Sequence, residues 1–218
     1  MKYEKKITII KNPLRFKIEY MRKAVVISWL LSLLFCIIVV FWYNEWIYNL
    51  PTPLPKNYTA VATGSVLQLP GIRDDAGHKP LFLHFFNPDC PCSKFNLEHV
   101  KKLIKEYGRD ASFKLVLVTA KNYSAEEIQQ RFNISVPVIR DSGLSARCGV
   151  YSTPQAVIID ADQKLYYRGN YNRSRYCVDK SSNYAQLALE SLLKKNYTVK
   201  FDPLAVKAYG CQLPGCTK

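Results

Sequence analysis

The sequence predicts an α/β fold, a central mixed β-sheet flanked by helices, preceded by an N-terminal transmembrane helix. Three observations carry this. Residues Ala24 to Tyr43 run for twenty positions without a charge, Gly or Pro. Short continuous apolar runs such as Pro80–Phe86 alternate with stretches of helical periodicity. Two later strand-like runs, Gln155–Asp160 and Lys164–Arg168, read as a hairpin.

In chain order, residues 1–23 form a basic stub, with Lys2, Lys5, Lys6, Lys11, Arg15, Lys17, Arg22 and Lys23 against Glu4 and Glu19. The segment 24–43 has the length needed to cross a hydrocarbon core of about 30 Å. It ends in Trp42, Tyr43 and Trp46, an aromatic belt at the interface. The next basic residue is Lys56, so the positive-inside rule keeps the N-terminus in the cytoplasm and the rest of the chain outside. The apolar span runs directly into "FWYNEW" without a small-x-small site, which reads as an uncleaved signal-anchor in a bacterial inner (plasma) membrane, with the C-terminal domain periplasmic. The expected lipid contact is residues 24–43; Cys36 within it reads as a lipid-facing thiol.

Residues 44–57, rich in proline, are expected to be a spacer, and residues 58–195 the folded domain. "AVATGSVLQL" is a candidate edge strand and "PLFLHFF" a buried central one. Leu97, Val100, Leu103, Ile104 and Tyr107 recur at helical spacing up to Gly108. "FKLVLVTA" is a second buried strand, and Ser124 with Glu127 forms a capping box at the start of a short helix. "VPVIRDSG" predicts a strand and turn, "LSARCGV" a helical turn or two, then the hairpin, then a helix over "NYAQLALESLLKK". Residues 196–218 form a cysteine-containing tail without strong periodicity.

The formal charge is +14, but eight of the 31 Lys and Arg residues sit in the stub. The others form no aromatic-interleaved stripe, and nucleic acid is not an expected partner. Of seven cysteines, Cys90, Cys92, Cys148, Cys177, Cys211 and Cys216 fall outside the membrane, as an oxidising compartment permits.

Two stretches, "LFLHFFNPDCPCSKF" and "VPVIRDSGLSARCGVYSTPQAVIIDADQKLYYRG", resemble the thioredoxin-like superfamily, in particular membrane-anchored periplasmic thiol-disulfide oxidoreductases related to cytochrome-maturation proteins. The resemblance covers about residues 60–195. It implies a thioredoxin-like fold, a nucleophilic cysteine at Cys90, and a substrate groove lined by Thr153 and Pro154 with a cis bond between them. Partners would be a thiol- or disulfide-containing protein or a small thiol. No cofactor and no resident metal are expected. A cysteine in the first turn of a helix sees the positive end of the helix dipole and unpaired N–H groups, which stabilise the thiolate that attacks disulfides.

The family's second cysteine, three residues on, is replaced by Ser93, and an extra thiol, Cys92, stands inside the motif. Three fates remain open for Cys90: it acts alone, it pairs with Cys92, or Cys148 resolves it. Cys177, Cys211 and Cys216 read as structural: "GCQLPGC" could close a local Cys211–Cys216 disulfide, or Cys177 could pin the tail. Two alternative functions follow from the same residues. One is a non-catalytic binding or copper-delivery module using the C-x-C pair as soft ligands, although His84 lies in an apolar strand. The other, a peroxiredoxin-like peroxidase, is disfavoured because Leu83 and Asn87 stand where that family places its Pro and hydroxyl residue.

Overall fold

The structure, a computed structural model, describes residues 13–72, 79–141, 143–173, 179–196 and 201–214. The chain divides into two units, Met1–Asn49 and Leu50–Lys218. In the first, helix α1 spans Pro13–Asn49. Its stretch Lys17–Trp46 is long and apolar enough to cross a membrane, with a mean hydropathy of 2.9 in its most apolar window and none of that window buried. The helix runs past residues 24–43 on both sides because nothing in its polar flanks breaks helical periodicity before Leu50 and Pro51.

The second unit adopts the thioredoxin-like fold. Its elements are β1 (Leu81–Phe86), α2 (Pro91–Tyr107), β2 (Ser112–Leu117), α3 (Ala125–Phe132), β3 (Val138–Arg140), α4 (Leu144–Cys148), β4 (Ser152–Thr153), β5 (Gln155–Ile159), β6 (Leu165–Gly169), α5 (Tyr184–Leu193), α6 (Pro203–Val206) and β7 (Cys211–Gln212). The main sheet has the order β3-β2-β1-β5-β6, with β1, β2 and β3 parallel and β5 and β6 antiparallel to their neighbours.

All six residues of β1 are buried, and successive side chains feed opposite faces of the sheet. Phe82 and Phe86 join Leu115, Ile158, Leu97, Val100 and Leu189 on the face covered by α2, α3 and α5. Leu81, Leu83 and Phe85 join Val116, Val157, Leu144 and Cys148 on the other. A strand covered on both faces is apolar at nearly every position, which is why "LFLHFF", His84 apart, reads as a continuous run rather than an alternating one. The Ser124 hydroxyl accepts from Glu127 N at 3.0 Å, the expected cap of α3.

Three expectations need correction. "AVATGSVLQL" forms no strand: the chain turns at Gly64 (φ 88°), and only Val66 bridges to Lys164. Residues 50–57 are not a detached spacer, because the compact unit begins at Leu50 and Thr52 is buried, its N–H donating to Ala208 O at 2.9 Å. The tail is not an appendage either. Asn170, itself buried, donates from Nδ2 to Leu204 O (2.7 Å) and Lys207 O (2.6 Å) and from its backbone to Ala205 O (2.8 Å), while Tyr209 N donates to its Oδ1 (3.4 Å). One side-chain amide therefore satisfies the carbonyls of a segment with no sheet of its own. Asn170→Ala should lower the unfolding free energy by about 2–3 kcal/mol, the cost of leaving two carbonyls without donors. Urea unfolding measures this, and a loss below about 0.5 kcal/mol would show that the amide does not hold the tail.

Candidate functional site

At the C-terminal end of β1 the chain enters Asn87-Pro88-Asp89. Asn87 Oδ1 accepts from Asp89 N (2.9 Å) and Asn87 O from Cys90 N (3.1 Å), a tight turn that aims the next residue at the start of α2. Cys90 is the N-cap residue of α2, in extended conformation (φ −86°, ψ 121°), and Pro91 at the first helical position needs no N–H partner. Ser93 is fully buried, and its hydroxyl accepts from Asn87 N at 3.3 Å, bracing the turn. The position where the resemblance expects a second cysteine is thus occupied by a buried hydroxyl that braces the turn.

Opposite this turn the Thr153–Pro154 peptide bond is cis, and Thr153 O lies 3.7 Å from Cys90 Sγ. Cys90 and Cys92 are both nearly inaccessible, 2% and 4% exposed. Cys90 is bonded to Cys211, with their Cα atoms 6.2 Å apart. The sulfurs of Cys90, Cys92 and Cys211 lie within 4.8 Å of one another. Strand β7 delivers Cys211 by pairing antiparallel with β4, with Thr153 opposite Cys211 and Ser152 opposite Gln212.

Asp89, beside Cys90, sits at the surface with its carboxylate 3.1 Å from Lys121 Nζ and 3.2 Å from the Tyr123 hydroxyl. The hydrogen bond from Lys121 holds the carboxyl below its ordinary range. Its charge is therefore balanced by a partner 32 residues away in the chain.

Cys148 is fully buried at the end of α4 on the opposite core face and is not among the three clustered sulfurs. Burial, aided by the charge of Asp141, pushes its thiol up to about 12, so it stays protonated near neutral pH. The structure brings Cys92 and Cys211 to Cys90 and leaves Cys148 apart. The local Cys211–Cys216 pairing gives way to Cys90–Cys211, because the β4–β7 ladder turns Cys211 toward the helix start; Cys177 and Cys216 lie outside the described residues. Sequence reasoning missed this role of Cys211. The available signal was Ser93 itself, which leaves Cys90 without a thiol three residues on in a chain carrying further cysteines in the tail.

His84 lies inside β1, 2% exposed, with Nδ1 at 2.7 Å from the Tyr171 hydroxyl, and is a buried strand residue as expected. Burial, with a smaller contribution from His99, drives its pKa down to about 3, so the ring is neutral.

No curated protein matches the chain. Among solved structures it is similar to an uncharacterized conserved protein from Geobacillus kaustophilus, at 21% identity over 75% of this chain and 97% of that one, with a TM-score of 0.59. It is also similar to a hypothetical protein from Sinorhizobium meliloti, at 17% identity over 72% and 96% of the two chains, with a TM-score of 0.54. A secreted disulfide oxidoreductase of Mycobacterium tuberculosis matches 54% of this chain and 82% of its own at 18% identity, with a TM-score of 0.40. A family model described as "Domain of unknown function (DUF6436)" matches residues 60–213, from ahead of the central strand to just past Cys211, and the chain belongs to that family.

Proposed function

We propose that the chain is a single-pass membrane protein whose thioredoxin-like unit exchanges thiols and disulfides on the periplasmic side of a bacterial inner membrane. The apolar stretch of α1 and the basic residues before it support the anchor and its orientation. The exchange reading rests on one observation: Cys90, at the helix N-terminus beside a cis-proline, is already engaged in a disulfide with a cysteine from elsewhere in the chain. In the reduced protein the Cys90 thiolate attacks a partner disulfide. Cys211 then attacks the Cys90 sulfur, which closes the pair and releases the partner as a thiol. Cys92 is the second thiol within reach.

The test uses three forms of the full chain. Wild type should reduce insulin disulfides in the presence of a dithiol, and Cys90→Ser should fall to background. Cys211→Ser should accumulate reductant-sensitive mixed disulfides through Cys90. If Cys90 stays closed to alkylation under mild reductant and wild type shows no turnover, the pair is only a staple and the reading fails. A periplasmically active reporter fused after Lys218 tests the orientation.

A second reading is favoured by the three clustered sulfurs. Once reduced, they form a soft set suited to Cu(I) as cargo. Competition with a coloured Cu(I) chelator decides it: retention of one equivalent by the reduced chain, lost in Cys92→Ser, supports delivery of the metal, and no retention excludes it.

A further inference from the structure

The edge of Ser152–Thr153, next to the cis-proline, is taken by the chain's own residues. Residues 203–209 are clamped by Asn170, by Tyr167, whose hydroxyl donates to Ala205 O at 3.2 Å, and by Thr52; Ala205 and Ala208 are fully buried. Beyond Tyr209 the attachments among the described residues are the two-residue β4–β7 ladder, Thr52 Oγ1 donating to Gly210 O at 3.2 Å, the packing of Leu213 on the second core cluster, and the disulfide. The change falls at Gly210, whose φ of 133° is one that L side chains rarely adopt. A Cβ there would run into the Thr153 carbonyl oxygen, with Ser152 Oγ at 3.2 Å behind it.

The bound arm therefore displays what the groove accepts. It reads Gly-Cys-Gln-Leu, paired as a strand at Cys211–Gln212, with no side chain before the cysteine, where a Cβ would meet the Thr153 carbonyl oxygen. Cys90 and Cys92 lie buried beside it, so a polypeptide that is to pair with Ser152–Thr153 must first displace the arm.

Building on the exchange reading above, we propose that the site's partner is an extended polypeptide with glycine immediately before its reactive cysteine. It pairs with Ser152–Thr153 in place of residues 210–213, which swing away about Gly210 once the Cys90–Cys211 bond is reduced. In the exchange the Cys90 thiolate forms a bond to the partner's cysteine as the partner's disulfide breaks, and the leaving sulfur departs as a thiolate that takes up a proton. Attack of Cys211 on Cys90 then restores the internal disulfide and frees the partner's cysteine as a thiol. Two protein thiols thus supply the two electrons that reduce the partner, and the reverse sequence oxidises it. The groove's main-chain pairing supplies affinity, and the Thr153 carbonyl supplies selectivity.

The experiment follows Cys90-dependent release of nitrothiobenzoate by full-length Cys211→Ser, in which the arm remains without its covalent bond. It is compared with Cys211→Ser/Gln212→Pro, in which the proline ring, with its fixed φ and missing N–H, opposes strand pairing at that position. Each is corrected by its Cys90→Ser counterpart. The probes are the peptide AYGCQLP carrying its cysteine as the nitrobenzoate mixed disulfide, the same peptide with valine before cysteine, and the small nitrobenzoate disulfide alone. With the glycine peptide the double variant should react about tenfold faster, since an arm docked in about nine molecules of ten leaves one in ten competent. The valine peptide should lose most of that gain, and the small disulfide should distinguish the variants less than about twofold. Equal peptide rates in the two variants, or equal rates for the glycine and valine peptides, overturn the proposal while leaving exchange at Cys90 intact. Absence of Cys90-dependent release even with the small disulfide removes the exchange reading and the proposal together. If Gln212→Pro does not fold, Gly210→Val loosens the arm at a different position and carries the same expectations.

Discussion

Reduction of the Cys90–Cys211 disulfide should lower the unfolding free energy of the unit Leu50–Lys218 by about 3–5 kcal/mol. The bond joins residues 121 positions apart, enclosing most of the sheet. A cross-link over so long a loop removes chain entropy from the unfolded state corresponding to nearly 5 kcal/mol at room temperature, and freedom regained by the arm in the reduced native state offsets part of it. The measurement is urea unfolding with and without dithiothreitol. Wild type should shift to a lower midpoint on reduction. Cys211→Ser should show the lower midpoint under both conditions. A difference under about 1 kcal/mol would mean that the cross-link adds little beyond the Asn170 clamp.

Acidification should destabilise the same unit by about 3 kcal/mol between pH 6.5 and pH 4 through His84. The unfolded imidazole takes up a proton below its ordinary pKa of about 6.5, whereas the folded ring, buried against Tyr171, does so only near 3. Across that window the unfolded state holds more protons, so stability is highest above the unfolded pKa and falls as the pH drops. His84→Asn keeps an acceptor for the Tyr171 hydroxyl and does not titrate. Its stability, whatever its absolute value, should lose the greater part of this slope. A variant with the wild-type pH dependence would show that other groups carry it, His99 first among them, since burial lowers its pKa as well.

These two expectations differ in how visible they are in the sequence. "LFLHFF" between Pro80 and Asn87 marks a strand covered on both sides, and a histidine inside such a run is expected to be buried and uncharged. The same is true of the helix starting beside Cys90, the Ser124 cap, the hairpin from Gln155 to Gly169 and the closing helix. Each is set by residues within a turn or two of one another, and their order leads to the thioredoxin-like fold. The cis bond before Pro154 was expected from the resemblance, and the structure has it.

The identity of the thiol that meets Cys90 was not legible in the same way. Local spacing offered Cys92, and a place six residues before Pro154 offered Cys148, but neither measures proximity in space. Cys148 lies on the far core face with its proton held by burial, whereas Cys211 arrives from the tail through a two-residue ladder on β4 and an anchor centred on Asn170. By itself the sequence determined the apolar helix, the order of strands and helices, and the turn from which the helix beside Cys90 begins, because periodicity and capping are short-range properties of the chain. Only the tertiary structure decided that Pro51 and Thr52 pair with residues 208–210, that the tail packs on Asn170 and β4, and that Cys211 is the partner of Cys90, because hydrogen bonds and a disulfide spanning 121 positions leave no periodic trace in the sequence.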